Sequence, residues 1–575
     1  MYLKRCGQTR LKRDGVYWEP VESYRTERGP RQRVVSYLGD VGEGRCLGMQ
    51  QAARGETGFW QSRLFDEAGE PEWVEVDARR VHAERVRDFG GYWLGLVLAD
   101  KLGLISLLER LLPEGREDVP WSMMALTLVL MRLTEPSSEL RIAEHLYERS
   151  SLVDLLGIPA DKVNDDRLYR ALDNLLPRKA ELEIYLKERL GTLFDLKYDL
   201  LLYDITSTYF EGQGAANEEA ALGYSRDHRP DCKQVCIALV VSREGISLGY
   251  EVFGGNRADA TTVEDIVAKI EAQYGSLGRI WVMDRGMVSE KNLAYLRAGG
   301  RQYIVGTPRS QLKRFERELL MGDWQQVRVG LEVKRCPSPD GKENFILCRS
   351  TARTIKERQI HQRFETRIDQ GLVKLAESCR KKKQKVGVVE RRVGRLLGAN
   401  SRSAGLFHVQ VRKRMDGGAE VVWQKQDKWR AWTELSEGCY LLRSNITEWD
   451  AEQLWQAYIQ LTEAEAAFRI QKGDLRIRPI WHQKAERVQA HILVCFLAYV
   501  LWKMLGQMCQ KAGLGNEPRK VLDEIAQIKA VDVVMPTKQG AVIRNRCIAR
   551  PTKAQAILLQ RLHLHLPQRM EIHEM

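Results

Sequence analysis

Paired cysteines are missing from this 575-residue chain. Its eleven cysteines are scattered singly, and the closest two, Cys232 and Cys236, fall in a strand-like run with no partner pair elsewhere. A structural zinc site needs two close pairs of Cys or His, so that class is excluded, and a reduced chain is the simpler reading. Long apolar runs are scarce too. The N-terminus, Met1-Tyr-Leu-Lys-Arg-Cys6, has no apolar core and does not read as a secretory leader. The most apolar stretch, Ile492 to Trp502, is too short to span a bilayer and reads as a buried helix. These absences lead to the expectation of a soluble, cytoplasmic protein. Acidic charge is also in deficit: 77 Asp and Glu against 90 Lys and Arg leave a formal charge of +13. A polyanionic partner such as nucleic acid fits that excess, and so does a solvated basic surface.

The chain changes character several times. Residues 1–88 read as a β-rich region with strands at Gly15–Ser23 and Gln32–Gly39, and Arg25, Arg28, Arg31 and Arg33 crowd the turn between them. Residues 89–197 turn helical, with Leu94, Leu98 and Leu102, then Met124, Leu128 and Met131, at helical spacing. Within that region, Arg141–Leu146 and Asp165–Leu176 fit either a helix-turn-helix DNA reader or an ordinary bundle. Residues 198–306 alternate strand and helix. Strands are expected at Asp199–Tyr203, Gln234–Ser242, Ser247–Phe253, Arg279–Met283 and Gln302–Val305, and helices at Thr262–Tyr274 and Ser289–Ala298. Three successive strands followed by alternation predict a mixed sheet with an antiparallel meander on one side. That order is expected of an RNase H-like fold and is compatible with other α/β folds. Residues 307–440 look like an insertion, with a long charged helical stretch over 354–397 and a hairpin around Asp416-Gly-Gly. A strand-like run follows at Cys439–Arg443, helices resume from Ala451 to about Ala512 within residues 441–512, and 513–575 form a basic, mixed tail.

Three acids stand out. Asp204 follows Leu-Leu-Tyr and Asp284 follows Ile-Trp-Val-Met, so each is expected at the C-terminal end of a strand, where α/β sheets collect ligands. A carboxylate there is unfavourable unless a charge answers it, and a divalent cation is the usual answer. Neighbouring strands would bring the two within repulsive range. The plain alternative has Asp204 capping a turn and Asp284 paired with Arg285. Glu465 lies in a helical pattern that sets Tyr458, Leu461, Glu465, Arg469 and Lys472 roughly along one side. A surface ion-pair pattern would look the same, and Glu463 is a rival on another face.

Four segments taken together make a recognisable set: Tyr203-Asp-Ile-Thr-Ser-Thr-Tyr-Phe-Glu-Gly; Gly223-Tyr-Ser-Arg-Asp-His-Arg-Pro-Asp-Cys-Lys-Gln; Val282-Met-Asp-Arg-Gly-Met; and Tyr458 to Lys472 followed by Arg478-Pro-Ile-Trp-His and His491-Ile. In this order the chain resembles bacterial insertion-sequence transposases of the DDE class, in the insertion-sequence-four superfamily and its Asp-Arg-Gly-Met subgroup. The resemblance covers residues from near 200 to near 505. It implies an RNase H-like catalytic core interrupted by a mostly β insertion, Mg²⁺ or Mn²⁺ as cofactor, and double-stranded DNA as substrate. It also implies a homodimer in a synaptic complex. Asp204, Asp284 and Glu465 match the three family acids as metal ligands and catalytic residues. Tyr458 and Lys472 match the extended last motif, whereas Leu461 stands where Arg is common, and Arg469 is a substitute one turn on.

Phosphodiester hydrolysis followed by strand transfer asks for such a trio, because two cations about 4 Å apart can stabilise both attacking and leaving oxygens. Around the acids, Arg226, Arg229 and Lys233, with His228, form a loop that either guides DNA phosphates or is a solvated polar turn. Arg285 either touches DNA or orients Asp284. Asp259 is a competing carboxylate that reads as a cap, Trp281 reads as core, and His482 as packing at a helix entry. A nuclease that cuts without joining, and a transposase-derived DNA-binding protein without catalysis, are the other functions that fit.

Overall fold

Strand-forming runs at the N-terminus pair with one another. β1 (Tyr2–Gly7), β2 (Val16–Thr26) and β3 (Gly29–Val34) make an antiparallel three-stranded sheet. The computed structural model describes residues 2–7, 16–26, 29–34, 74–275 and 278–567. Arg25 and Arg31 therefore lie on the β2–β3 hairpin, while Arg28 and the expected strand beyond Val34 lie outside the described residues. Two compact units divide the chain. One comprises Met1–Asp195, Gly214–Asn217 and Ile470–Met575; the other comprises Leu196–Gln213 and Glu218–Arg469. The break at Arg469 does not coincide with the boundaries expected at 441 and 512.

In the first unit β4 (His82–Asp88) leads into helices Gly90–Leu102, Leu104–Leu111, Trp121–Thr134, Asp165–Leu175 and Lys179–Phe194. Gly103 turns the chain between the first two at φ +75°, and a Cβ there would stand 2.3 Å from the Tyr185 hydroxyl. Met124, Leu128 and Met131 are buried, as their spacing predicts. The segments that also fitted a helix-turn-helix bury Ile142 and Leu146, and Leu168, Leu172 and Leu175, and pack as parts of a helical bundle. Ala485–Lys511 is its long central helix. It is apolar and long enough to cross a membrane, yet 89% of its most apolar window is buried inside the protein.

The second unit is built on one nine-stranded sheet. β5 (Leu200–Tyr209), β6 (Gln234–Val241) and β7 (Ser247–Gly254) form an antiparallel meander. β8 (Ile280–Met283) and β9 (Gln302–Gly306) then join β5 in parallel. Helices Val263–Tyr274 and Glu290–Ala298 make the crossovers. Ser289 caps the second through its side chain, whereas Thr262 at the head of the first turns its hydroxyl to the Asp259 carbonyl instead. Alternation puts Leu201, Tyr203, Ile205, Trp281, Met283, Tyr303 and Val305 on one face, in a core with Ile266, Ile270, Leu293 and Leu296 from those helices. Each fully buried side chain of this size stabilises by about 1.5–3 kcal/mol.

The sheet does not stop at β9. β10 (Gln325–Arg328), β11 (Leu331–Pro337) and β12 (Asn344–Ser350) extend it, bonded through the later strand β15 (Cys439–Ser444). Between them lie helices Thr351–Lys381 and Val386–Ala399, the strands β13 (Phe407–Lys413) and β14 (Ala419–Lys425), and the helix Asp427–Ser436. The stretch expected to be mostly β is thus mixed, with more helix than strand. The charged helical stretch expected over 354–397 is present, its two helices held by an apolar stripe of Ile368, Leu372, Val389 and Val393 packed against Phe407, Ala419 and Val421. The Arg380–Lys385 run breaks them, the first helix ending at Lys381. The expected hairpin is present, with Gly417 at φ +80°. Helices Ala451–Ile459, begun by an Asp450–Gln453 capping box, and Thr462–Gly473 follow.

The C-terminal tail completes the first unit. After the helix Pro518–Ala526, β16 (Lys529–Pro536) pairs on one side with β17 (Val542–Ile548) and on the other with β4.

Candidate active site

Strand register brings the first two acids together. Tyr203 of β5 pairs in parallel with Met283 of β8, so Asp204 and Asp284 each stand one residue further on, on strands about 4.8 Å apart. Both point away from the face that carries Tyr203 and Met283. The strand ends differ from expectation. Asp284 follows the last residue of β8, but Asp204 is inside β5, which continues to Tyr209 because Thr206, Thr208 and their neighbours keep pairing with β6.

The third acid comes from the helix Thr462–Gly473. Leu461, Ala464, Ala467 and Phe468 bury its inner side and leave Glu465 and Arg469 exposed on the other. Asp284 and Glu465 line one cavity of about 370 Å³, together with Arg285, Arg309, Arg353, Tyr458 and Leu461. Glu463 is not among the lining residues. Asp204 accepts a hydrogen bond from the Ile205 N–H at 2.8 Å. Burial pushes its carboxyl up to about 7; the Ile205 N–H opposes this, the charges of Asp284 and Glu465 add to it, and Arg226 offsets part of it. Such mutual repulsion among carboxylates is what a shared cation relieves.

Tyr458 reaches this site from the helix Ala451–Ile459, its hydroxyl donating to Asp284 Oδ1 at 3.5 Å. Burial first, and the Asp284 charge second, keep that phenol well above its ordinary range. Leu461, where the resemblance leads one to look for Arg, is buried and supplies only apolar wall. Arg285 is exposed beside Asp284. Arg309 and Arg353 were not legible in the sequence: they come from the segment after β9 and from the start of a long charged helix, and only the fold brings them here. Arg309 pairs with Glu357 at 3.0 Å, and Arg353 lies over the Tyr440 ring at 4.5 Å. The same arginines line an adjoining cavity of about 500 Å³ that includes Arg402, Trp429 and Trp432.

The loop residues divide. Arg226 binds Asp259 through Nη2, 2.6 Å from each carboxylate oxygen, so Asp259 holds an ion pair and is not the side-chain cap it resembled. Arg229 is held by Asp231 at 3.0 Å and stacks over Tyr209 at 5.0 Å. Lys233 is half-buried, and its carbonyl accepts from Phe210 N–H. Arg469 is exposed one turn after Glu465, whereas Lys472, half-buried on the same helix, belongs to the first unit. Trp281 is core, as expected.

Among the described residues, Glu139, His482 and His491 of the first unit form a buried group whose ligand atoms lie within 4.8 Å of one another. It does not fit a metal. Arg132 Nη2 can only donate, so His491 Nδ1 accepts from it at 3.4 Å, and Nε2 donates to the Ile477 carbonyl at 3.1 Å. Burial and Arg132 push His491 down to about 3. Burial works to raise Glu139, but His482, His491 and Arg132 outweigh it and hold the carboxyl at about 2. The guanidinium already supplies positive charge, and His482, read from the sequence as packing, both packs on Tyr169 and His491 and meets Glu139 at 3.4 Å. Asp204, Asp284 and Glu465 do not meet that single-ion spacing.

Residues 195–501 match the family described as Transposase DDE domain. The chain belongs to that DDE transposase family. No curated protein matches this DDE transposase. A cryo-EM structure of a piggyBac transposase synaptic complex with hairpin DNA is similar at 9% identity and a TM-score of 0.35, over 76% of this chain and 78% of that one.

Proposed function

We propose that this transposase cuts DNA at the ends of its own insertion sequence and transfers the freed strands into target DNA, using Mg²⁺ or Mn²⁺ held by Asp204, Asp284 and Glu465. The observation that carries this reading is the register of β5 and β8, which sets Asp204 beside Asp284 while Glu465 shares a cavity with Asp284. We read the sheet unit as RNase H-like, a reading supported by the antiparallel β5–β6–β7 meander followed by parallel β8 and β9. The three carboxylates fit hard divalent cations, and the raised Asp204 carboxyl marks charge in want of a counter-ion.

When bound, a pair of such cations would stabilise the attacking and leaving oxygens of an in-line displacement at phosphorus. Asp204, on β5 between β8 and β6, would hold them together with Asp284 and Glu465. Tyr458 orients Asp284 through its hydroxyl. Arg285, Arg309 and Arg353 would neutralise DNA phosphates along the cavity wall, with Arg226, Arg229, Lys233, Arg469 and Lys472 as further backbone contacts. A homodimer pairing two element ends, working in the cytoplasm on the nucleoid, completes the reading.

The test uses labelled duplexes carrying the inverted repeats that bracket the coding region, incubated with Mg²⁺. Cleavage at the repeat followed by joined products is expected. Cleavage without joining would make the protein a nuclease, and specific binding without cleavage would remove the catalytic reading.

A further inference from the structure

A fourth carboxylate is mounted next to the acid site. A Cβ placed on Gly286, two residues after Asp284, would lie 3.4 Å from Asp259 Oδ2. The turn that carries Asp259 is fixed from both sides. The Thr262 hydroxyl donates to the Asp259 carbonyl at 2.6 Å and meets the Tyr203 hydroxyl at 2.6 Å. Buried Asn292 donates to the Ala260 and Met287 carbonyls at 2.8 and 2.7 Å, which ties this turn to the one following Asp284.

An acid in such a place can be a metal ligand or an anchor for a cation. Both Asp259 oxygens are taken by Arg226 Nη2. The Arg226 backbone is fixed as well, its N–H donating to Ser207 Oγ at 3.2 Å. Among the described residues, neither Nε nor Nη1 of Arg226 has a protein acceptor. The ion pair is neutral as a whole, so Arg226 offsets only part of the charge at Asp204. Removing Asp259 would leave a long, positively charged side chain with Asp204 as a carboxylate within its electrostatic reach.

We propose that Asp259 is a positioning residue and not a metal ligand: it pins the Arg226 guanidinium beside the site, keeps it off Asp204, and leaves Nε and Nη1 for a DNA phosphate. The proposal rests on the reading of Asp204, Asp284 and Glu465 as the cation site.

Mn²⁺ binding by the full chain, followed by electron paramagnetic resonance in the absence of DNA, tests it with four proteins. Asp259→Asn is expected to weaken Mn²⁺ affinity by about tenfold, because the released guanidinium competes with the ion at Asp204. Arg226→Gln is expected to bind Mn²⁺ as tightly as the unaltered chain or more tightly. The double variant is expected to return to within about twofold of the unaltered chain, because the competing cation is gone. A double variant as weak as Asp259→Asn would make Asp259 a ligand and overturn the proposal, and so would unchanged affinity in Asp259→Asn. If Asp259→Asn does not fold, Arg226→Gln decides alone, and a loss of Mn²⁺ affinity there overturns the proposal. An unaltered chain that binds no Mn²⁺ would defeat the reading of the three acids instead, so the two failures are distinguishable.

Discussion

The Tyr458 hydroxyl meets Asp284 directly above Gly306, the β9 residue that has no side chain to obstruct it. A Cβ on Gly306 would stand 2.6 Å from that hydroxyl and 3.2 Å from the Arg285 backbone nitrogen. Gly306→Ala therefore has to displace either the tyrosine or the turn that carries the second acid. It should destabilise the protein by about 1–3 kcal/mol in urea denaturation and slow metal-dependent cleavage. Tyr458→Phe removes the donor without the clash, so it should leave the unfolding free energy from urea denaturation within about 1 kcal/mol and lower cleavage by about tenfold or less.

Alanine at Asp204, Asp284 or Glu465 should abolish cleavage while DNA binding, measured by gel shift, stays within a few-fold. Substantial cleavage by any one of the three would remove that residue from the site.

The raised Asp204 carboxyl gives a pH dependence with a definite sign. Its folded value, about 7, lies above its ordinary one, so the folded state is disfavoured once the group ionises. The related stability is fully present below the ordinary carboxylate range and is lost as pH rises through about 7. In chelator, Asp204→Asn should therefore be more stable than the unaltered chain at about pH 8, with the difference vanishing at about pH 4 in urea titrations. Mn²⁺ affinity of the unaltered chain should rise over the same interval, because binding needs the ionised form.

Arg309 and Arg353 should be felt in DNA affinity and its salt dependence. Replacing either by alanine should weaken binding across sequences and reduce the slope of log affinity against log salt by about one. An unchanged slope would take that arginine out of the DNA path.

In the first unit, Glu139→Ala should lower stability by about 3–5 kcal/mol, because it strips Arg132 and His482 of their buried acid. Chelator should not reproduce the effect; if it did, the Glu139–His482–His491 group would hold a metal after all.

Much of the sheet unit could be read from the chain, because its signals are local. Apolar runs before Asp204 and Asp284, Ser289 at a helix start and Gly299 after its end fix elements within a residue or two. Parity then sets which face each side chain takes, and so Trp281 was legible as core. What was not legible depended on partners far away in sequence. The length of β5 depends on β6, since Ile205–Tyr209 are polar and apolar in no order that marks a strand. Asp259 had the look of a cap because its partner, Arg226, lies 33 residues earlier. Arg309 and Arg353 join the cavity only once β12 and the strand at Cys439–Ser444 have been laid beside β9. The 351–399 helices were legible as a charged helical stretch, but the strands they pack against come from elsewhere in the insertion, so the label of a mostly β insertion did not follow from local signals.

β8 ends at Met283 while its neighbour runs on to Tyr209, a difference of about 20 Å at strand rise. The acid site is thus a notch made by one short strand, and Asp204 sits in its wall, not on a loop. Moving Asp204 would require breaking pairs with β6, so it serves as a fixed datum for the site. Glu465, by contrast, rides on a helix that no strand pairing pins. In mechanical terms the site is a vice with one jaw bolted down, and inserting residues that lengthen β8 would fill the gap between the jaws without touching an acid.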